Sequence, residues 1–311
     1  MSLMRKALLA ASTNSWMRER ATKYTFVRKS VSRFMPGEQI EDALRAAAKL
    51  KPEGTNTILT HLGENLTRVE EAEEVTRHYI DVLDRIAASG LDSQISVKPT
   101  QLGLDLDREL CYRNLERLLD HAAARGNSIV WIDMESSPYV DPTLELVRRA
   151  RQRTPRIGVA IQAYLYRSAK DLESLIPLGI AVRVVKGAYL EPPDVAYPKK
   201  SDTDENFYAL CVRMMAEDAQ KAGCLVHIAT HDEALIAGLS AYITQHNVPR
   251  SAYEFAMLYG IQRGQQVRLA SAGQPLRVLI SYGEYWFPWY MRRLAERPAN
   301  MWFVVKNMAG R

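Results

Sequence analysis

Residues 181–189 read AVRVVKGAY: four small or β-branched apolar residues around one arginine, ending at Lys186-Gly187. Strict alternation of polar and apolar residues would mark a half-solvated strand. A nearly unbroken apolar run marks a strand buried on both faces, as in a parallel sheet covered by helices. Similar runs recur on both sides of it. They are 56–61 (NTILTH), 94–98 (QISVK), 129–134 (IVWIDM), 158–163 (GVAIQA), 225–230 (LVHIAT), 253–258 (YEFAML) and 277–281 (RVLIS), which with 181–186 makes eight. Helical periodicity fills the gaps, at 65–89, 108–125, 142–154, 169–175, 203–222, 233–245 and 262–270. Eight strand–helix units over roughly 250 residues predict an α/β fold, a (β/α)8 TIM barrel. An open doubly wound sheet is the alternative, but no G-x-G-x-x-G follows the first strand. The expected division is an N-terminal helical arm over 1–50 and one barrel over 51–311, with a last helix carrying Arg292 and Arg293.

The chain has 311 residues, 47% hydrophobic and 25% charged, an ordinary globular composition without a bilayer-spanning apolar run. Its three cysteines, Cys111, Cys211 and Cys224, have neither paired nor metal-type spacing, which suggests buried thiols in a reducing compartment. The net charge of +5 is unevenly spread. Residues 1–37 hold eight Lys/Arg against one acid, Glu19, so this arm is +7 and the rest of the chain about −2. Three readings of the arm stand: a basic helix packed on the main domain, a contact with an anionic membrane surface, and a transit peptide. The rest of the chain has no basic stripe, which argues against nucleic acid.

In a TIM barrel the active site lies where strands end and βα loops begin. A polar set collects there: Lys98 after the second strand, Asp133 and Glu135 at the third, Gln162 and Tyr164 at the fourth. Arg183 and Lys186 follow on the fifth, and Thr230, His231 and Asp232 on the sixth. Each alone reads equally well as a solvated strand end; five strands converging on one face carry more. Lys98 and Lys186 each follow apolar residues, so each needs a partner, such as Asp133 or a ligand anion. His227 and His231 sit on a strand, where a four-residue separation spans roughly 13 Å, too far to share a metal. No metal site is expected.

Residues 281–300 read SYGEYWFPWYMRRLAERPAN. Adjacent guanidiniums repel unless an acid or an anionic ligand compensates them. Glu296, one turn beyond Arg292, could orient the pair, which could then grip a carboxylate while the aromatics cover an apolar ligand body. The alternative is an amphipathic helix with aromatics in the core and arginines in water.

Several strings together resemble the proline dehydrogenase family, in its compact monofunctional bacterial form. They are Ser96-Val97-Lys98-Pro99, Asp133-Met134-Glu135, Gln162-Ala163-Tyr164, the run from Val182 through Arg183 and Lys186 to Tyr189, Ala229-Thr230-His231-Asp232, and Arg292-Arg293 with Arg297-Pro298. The resemblance covers about 30–311. It implies a distorted barrel holding non-covalent FAD, with the last helix over its mouth. It also implies oxidation of L-proline to Δ1-pyrroline-5-carboxylate, with hydride passing to flavin N5 and electrons to membrane quinone. The location implied is the cytoplasm or the inner face of the cytoplasmic membrane. Arg292, Arg293 and Lys98 would clamp the carboxylate, Asp133 would hold the charged network, and Tyr189 and Leu258 would line the pocket. Glu296 would orient the arginines. Gln162, Arg183, Lys186, Gly187, Ala188, Thr230 and His231 would contact FAD, with Arg183 near N5. Two positions depart from the family: Leu279 and Trp289 stand where it has tyrosines, with Tyr282 and Tyr290 as the nearby phenols that would substitute. A hydroxyproline or related imino acid dehydrogenase is therefore the alternative within the family. A Schiff-base aldolase built on Lys186 is the alternative outside it.

Overall fold

The computed structural model describes residues 31–63, 66–126 and 129–296, the last five of these as backbone only. The basic arm up to residue 30 and the Arg297-Pro298 string lie outside the described residues. Eight parallel strands close in chain order into a barrel, β8 pairing back on β1. They are β1 (Asn56–His61), β2 (Ser93–Val97), β3 (Val130–Ile132), β4 (Ile157–Gln162), β5 (Ala181–Val185), β6 (Leu225–Ala229), β7 (Tyr253–Leu258) and β8 (Leu276–Tyr282). The helices are α1 (Ile40–Leu50), α2 (Val69–Ser89), α3 (Arg108–Ala124), α4 (Val140–Arg153) and α5 (Ser168–Leu175). They continue with α6 (Lys200–Met214), α7 (Glu217–Lys221), α8 (Glu233–Gln245), α9 (Arg263–Ser271) and α10 (Trp286–Glu296).

Local chemistry sets the helix ends. α2 begins at Val69 rather than near residue 65, because the Glu71 carboxylate accepts the backbone N–H groups of Thr67 and Arg68 and closes the first turn there. Asp107 caps α3 by accepting the Leu110 N–H at 2.6 Å. The helical pattern over 203–222 is two helices, because Ala216 takes an extended conformation (φ −66°, ψ 155°) between α6 and α7. No glycine or proline marks that break.

Alternate strand residues face opposite sides of the wall. One set packs beneath the helices in the main apolar core, where α1 also buries Ile40, Ala43, Ala46, Ala47 and Leu50. The other set fills the barrel. Low in the interior, Ile58, Trp131 and Ala181 pack with Ile129, Leu225 and Leu279. Fully buried side chains such as Ile58 contribute about 1.5–3 kcal/mol each. A third cluster joins Val31, Phe34 and Met35 to Leu62, Ile261 and the aromatics of α10. Leu62 and Leu258 stand at the C-terminal ends of β1 and β7, so α10 lies over the barrel mouth. The three cysteines are buried and unpaired. Among the described residues no helix is long and apolar enough to cross a membrane.

Candidate active site

β2, β3 and β5 send side chains inward to a common point near the mouth, Ser96 and Lys98 from the first, Asp133 from the end of the second and Arg183 from the third. Asp133 is the hub. Its Oδ2 accepts from Lys98 Nζ at 3.1 Å and its Oδ1 from Arg183 Nη2 at 2.5 Å. Ser96 Oγ donates to the same Oδ1 at 2.7 Å and lies 2.9 Å from Arg183 Nη2. Burial opposes the charge on Asp133, but Lys98 and Arg183 outweigh it and hold the carboxyl below its ordinary range. Burial also pulls Arg183 below the usual guanidinium value, with Asp133 only partly offsetting it. The group carries two cations against one anion. Arg183 Nη1 is buried and has no hydrogen-bond partner among the described residues.

The loops around this hub are tied together. The Thr100 N–H and hydroxyl donate to Glu135 at 3.1 and 2.8 Å, joining the loops after β2 and β3. Gln101 accepts the Lys98 N–H at 3.3 Å and donates to the His61 carbonyl at 2.9 Å, joining β1. Gln162 donates to the Glu135 carbonyl at 2.8 Å and so holds β4 in place.

On the other side, Lys186 lies 2.5 Å from Asp204 and 3.0 Å from Asp232, and Lys200 contacts the same two carboxylates. Burial would raise Asp232, but hydrogen bonds from Lys200 and Lys186 drive its carboxyl well below the ordinary value. Gly187 has φ +117°, and a Cβ there would lie 2.3 Å from the Tyr164 ring, so only glycine lets the loop cross that ring. Ala188 and Tyr189 follow it half-buried. Thr230 Oγ1 accepts the Asp232 N–H at 3.1 Å, and His231 Nε2 accepts the Leu258 N–H at 2.9 Å. The histidine thereby pins the end of β7.

The structure thus brings Lys98, Asp133 and Arg183 into contact and sets Gln162, at the end of β4, and Lys186, Gly187, Ala188, Tyr189, Thr230 and His231, on the loops, around them. Leu258 packs under α10, where Trp289 is buried with Trp286, Phe287, Tyr290 and Met291. The aromatic half of 281–300 is therefore a cover seated on strand ends. Arg292, Arg293 and Glu296 lie on the last turns of α10, but their side chains are outside the described set. Leu279 faces the interior, packed on the cluster of Ile58, Trp131 and Ala181. Tyr282 does not replace the missing phenol there. It is three residues further along, on the outer face of β8, with its hydroxyl 2.8 Å from His78 Nε2 on α2. Lys186 pairs with Asp204 and Asp232 rather than Asp133, partners that lie far along the chain and that sequence reasoning missed. Ser96 was visible only as part of a string.

A sequence model of proline dehydrogenase matches residues 43–306. Proline dehydrogenase 1 of Bacillus subtilis (strain 168) is 36% identical over 306 residues, covering 98% of this chain and 99% of its own. The proline dehydrogenase of Deinococcus radiodurans is 35% identical over 311 residues, covering 98% of each. The chain belongs to the proline dehydrogenase family. It is accordingly an oxidoreductase, of a family of flavin enzymes. The proline utilization A structure from Bdellovibrio bacteriovorus superposes with a TM-score of 0.80 over 94% of this chain and 36% of that longer one. At 22% identity that likeness concerns the barrel fold alone.

Proposed function

We propose that the chain oxidises L-proline to Δ1-pyrroline-5-carboxylate, using non-covalently held FAD and passing the electrons on to quinone. The observation that carries this reading is the Lys98–Asp133–Arg183 group. Its surplus positive charge and its unpartnered Arg183 Nη1 fit a site for anionic, hydrogen-bond-accepting groups. Ser281 Oγ, buried on the inner face of β8, is a second polar atom with no partner among the described residues. Both suit a flavin. Bound FAD would supply the hydride acceptor.

The chain's own part is orientation and charge. Lys98 sits at the mouth with its ammonium on Asp133, where it can meet a carboxylate as that carboxylate replaces water. Arg292 and Arg293 would complete the clamp from α10, with Glu296 orienting them. Arg183 and Gln162 would hold the flavin's polar ring edge, and Lys186, Gly187, Ala188, Thr230 and His231 the rest of the cofactor. Tyr189, Leu258, Leu279 and Trp289 would border the proline ring. The α10 aromatics exclude water above it. In this reading residues 51–311 form the catalytic barrel and 1–50 an arm, with the protein in the cytoplasm and in peripheral contact with the membrane that holds its quinone.

Lys186 lies between two carboxylates rather than in the apolar pocket that a Schiff-base lysine requires, which disfavours the aldolase reading. One observation favours a second substrate: an interior Leu279 in place of a phenol leaves a differently shaped pocket, which could admit hydroxyproline. The deciding experiment is the visible spectrum of the purified protein before and after anaerobic L-proline. A flavin band bleached by proline is expected. Bleaching only by trans-4-hydroxyproline would change the substrate, and a colourless protein that FAD does not reconstitute would overturn the flavin reading.

A further inference from the structure

We propose that Trp131 is a positioning residue that holds Arg183 so that its free guanidinium nitrogen faces the cofactor. Resting on the flavin reading above, this extends it by one layer into the barrel. The Arg183 guanidinium carbon lies 5.1 Å from the centre of the Trp131 ring, a cation–π distance. On the indole, the His227 ring packs at 4.2 Å with the planes tilted by 39°. Trp131 and His227 are fully buried, and Arg183 is only 4% exposed.

Three features fix the indole itself. Its Nε1–H donates to Gln94 Oε1 at 2.6 Å, which sets the ring's direction. Gly158 on β4 leaves the space that the ring fills, since a Cβ there would come within 2.6 Å of it. Apolar Ile58 and Ala181 close the same layer. His227, with Nε2 2.9 Å from Glu254, backs it from β6. The arginine is therefore constrained on one edge by Asp133 and Ser96 and on one face by an aromatic plate. Nη1 is the buried nitrogen left without a partner among the described residues. A fixed, desolvated cation of this kind stabilises the anionic reduced state of a flavin placed beside it, whereas a mobile one would instead turn onto Asp133.

The test uses the FAD-loaded protein, its Trp131→Leu, Trp131→Phe and Arg183→Met variants, and the Trp131→Leu/Arg183→Met double variant. FAD affinity and the flavin midpoint potential are measured for each, alongside melting temperature. Loss of the plate should weaken FAD binding about tenfold, the scale of one desolvated cation–π contact, and move the potential to more negative values. Trp131→Phe should recover most of both. In the Arg183→Met background Trp131→Leu should add little, because it acts through the arginine. Affinity and potential left unchanged by Trp131→Leu while only melting falls would overturn the inference, as would additive effects in the double variant. If Trp131→Leu does not fold, Gln94→Leu frees the indole instead; it should shift the potential in the same direction, and an unshifted potential would overturn the inference. A wild-type protein that takes up no FAD would sink the flavin reading itself, a distinct result.

Discussion

Arg183 and Arg277 both project into the barrel, on β5 and β8, and their surroundings differ in one respect. Each guanidinium nitrogen of Arg277 is engaged: Nε with Glu254 at 2.8 Å, Nη1 with the Thr57 carbonyl at 3.1 Å and Asp92 Oδ1 at 3.0 Å, and Nη2 with Asp92 Oδ2 at 3.5 Å. Its group holds one cation against two carboxylates, and burial pushes His227 toward its neutral form despite Glu254 beside it. Around Arg183 the balance is reversed, two cations against Asp133, with a whole nitrogen unspent. Trp131 and His227 stand between the groups. A buried guanidinium whose every nitrogen is engaged serves the fold. One left with a donor in hand at the strand ends is placed to meet something that binds, because an unmet buried donor costs free energy that a bound ligand can return.

The comparison can be broken by exchange. Arg183→Met should have the largest effect on function, lowering kcat/KM about a hundredfold or more, the scale of one lost charge-assisted contact in a dry site. Its melting temperature should hardly move, because Asp133 keeps Lys98 and Ser96 as partners. Steady-state kinetics and calorimetry on the same sample check both halves.

Arg277→Met should do the opposite. It strands Glu254 with a histidine that burial keeps neutral, which should cost about 3–5 kcal/mol of stability. Turnover of the folded protein should stay within about twofold, since nothing at the mouth is touched. A denaturation midpoint equal to that of wild type would show that the lower group is not structural.

The smallest effect sharpens the comparison through pH. Burial works against the Glu254 charge, but His227 and Arg277 hold its carboxyl down to about 2, from an ordinary value of 4.5. A depressed carboxyl adds stability that is present above its unfolded value and is lost as pH falls through the folded one. Stability should therefore fall between about pH 4.5 and pH 2. Glu254→Gln should remove that slope and lower the plateau at neutral pH. An unchanged acid-unfolding curve would remove Glu254 from the account.

The barrel was legible because each strand is a largely apolar run, most of them closed by a polar residue; 56–61 and 253–258 coincide with β1 and β7 to the residue. The remaining strand limits moved by one residue or two, β3 shrinking to Val130–Ile132 because pairing, not hydrophobicity, ends a strand. The convergence of Lys98, Asp133 and Arg183 was legible as strand ends plus a resemblance. The lower group was not. Glu254 and Arg277 look like solvated strand starts, and only the closed register places them beside His227. A usable signal existed: ionisable residues near the starts of three successive strands. The pairing of Lys186 with Asp204 and Asp232 depends on how α6 sits against the loop after β5, which no local pattern encodes.

The buried cysteines have a practical consequence. Burial pushes the Cys111 thiol up to about 12 and raises Cys211 and Cys224 as well, so none offers a thiolate to a reagent at neutral pH. Tyr285, 61% exposed just ahead of α10, is the opposite kind of position. After Tyr285→Cys, one maleimide dye would attach at a single place beside the aromatic cover. Its fluorescence would then report, molecule by molecule, whether that cover stays seated when proline arrives.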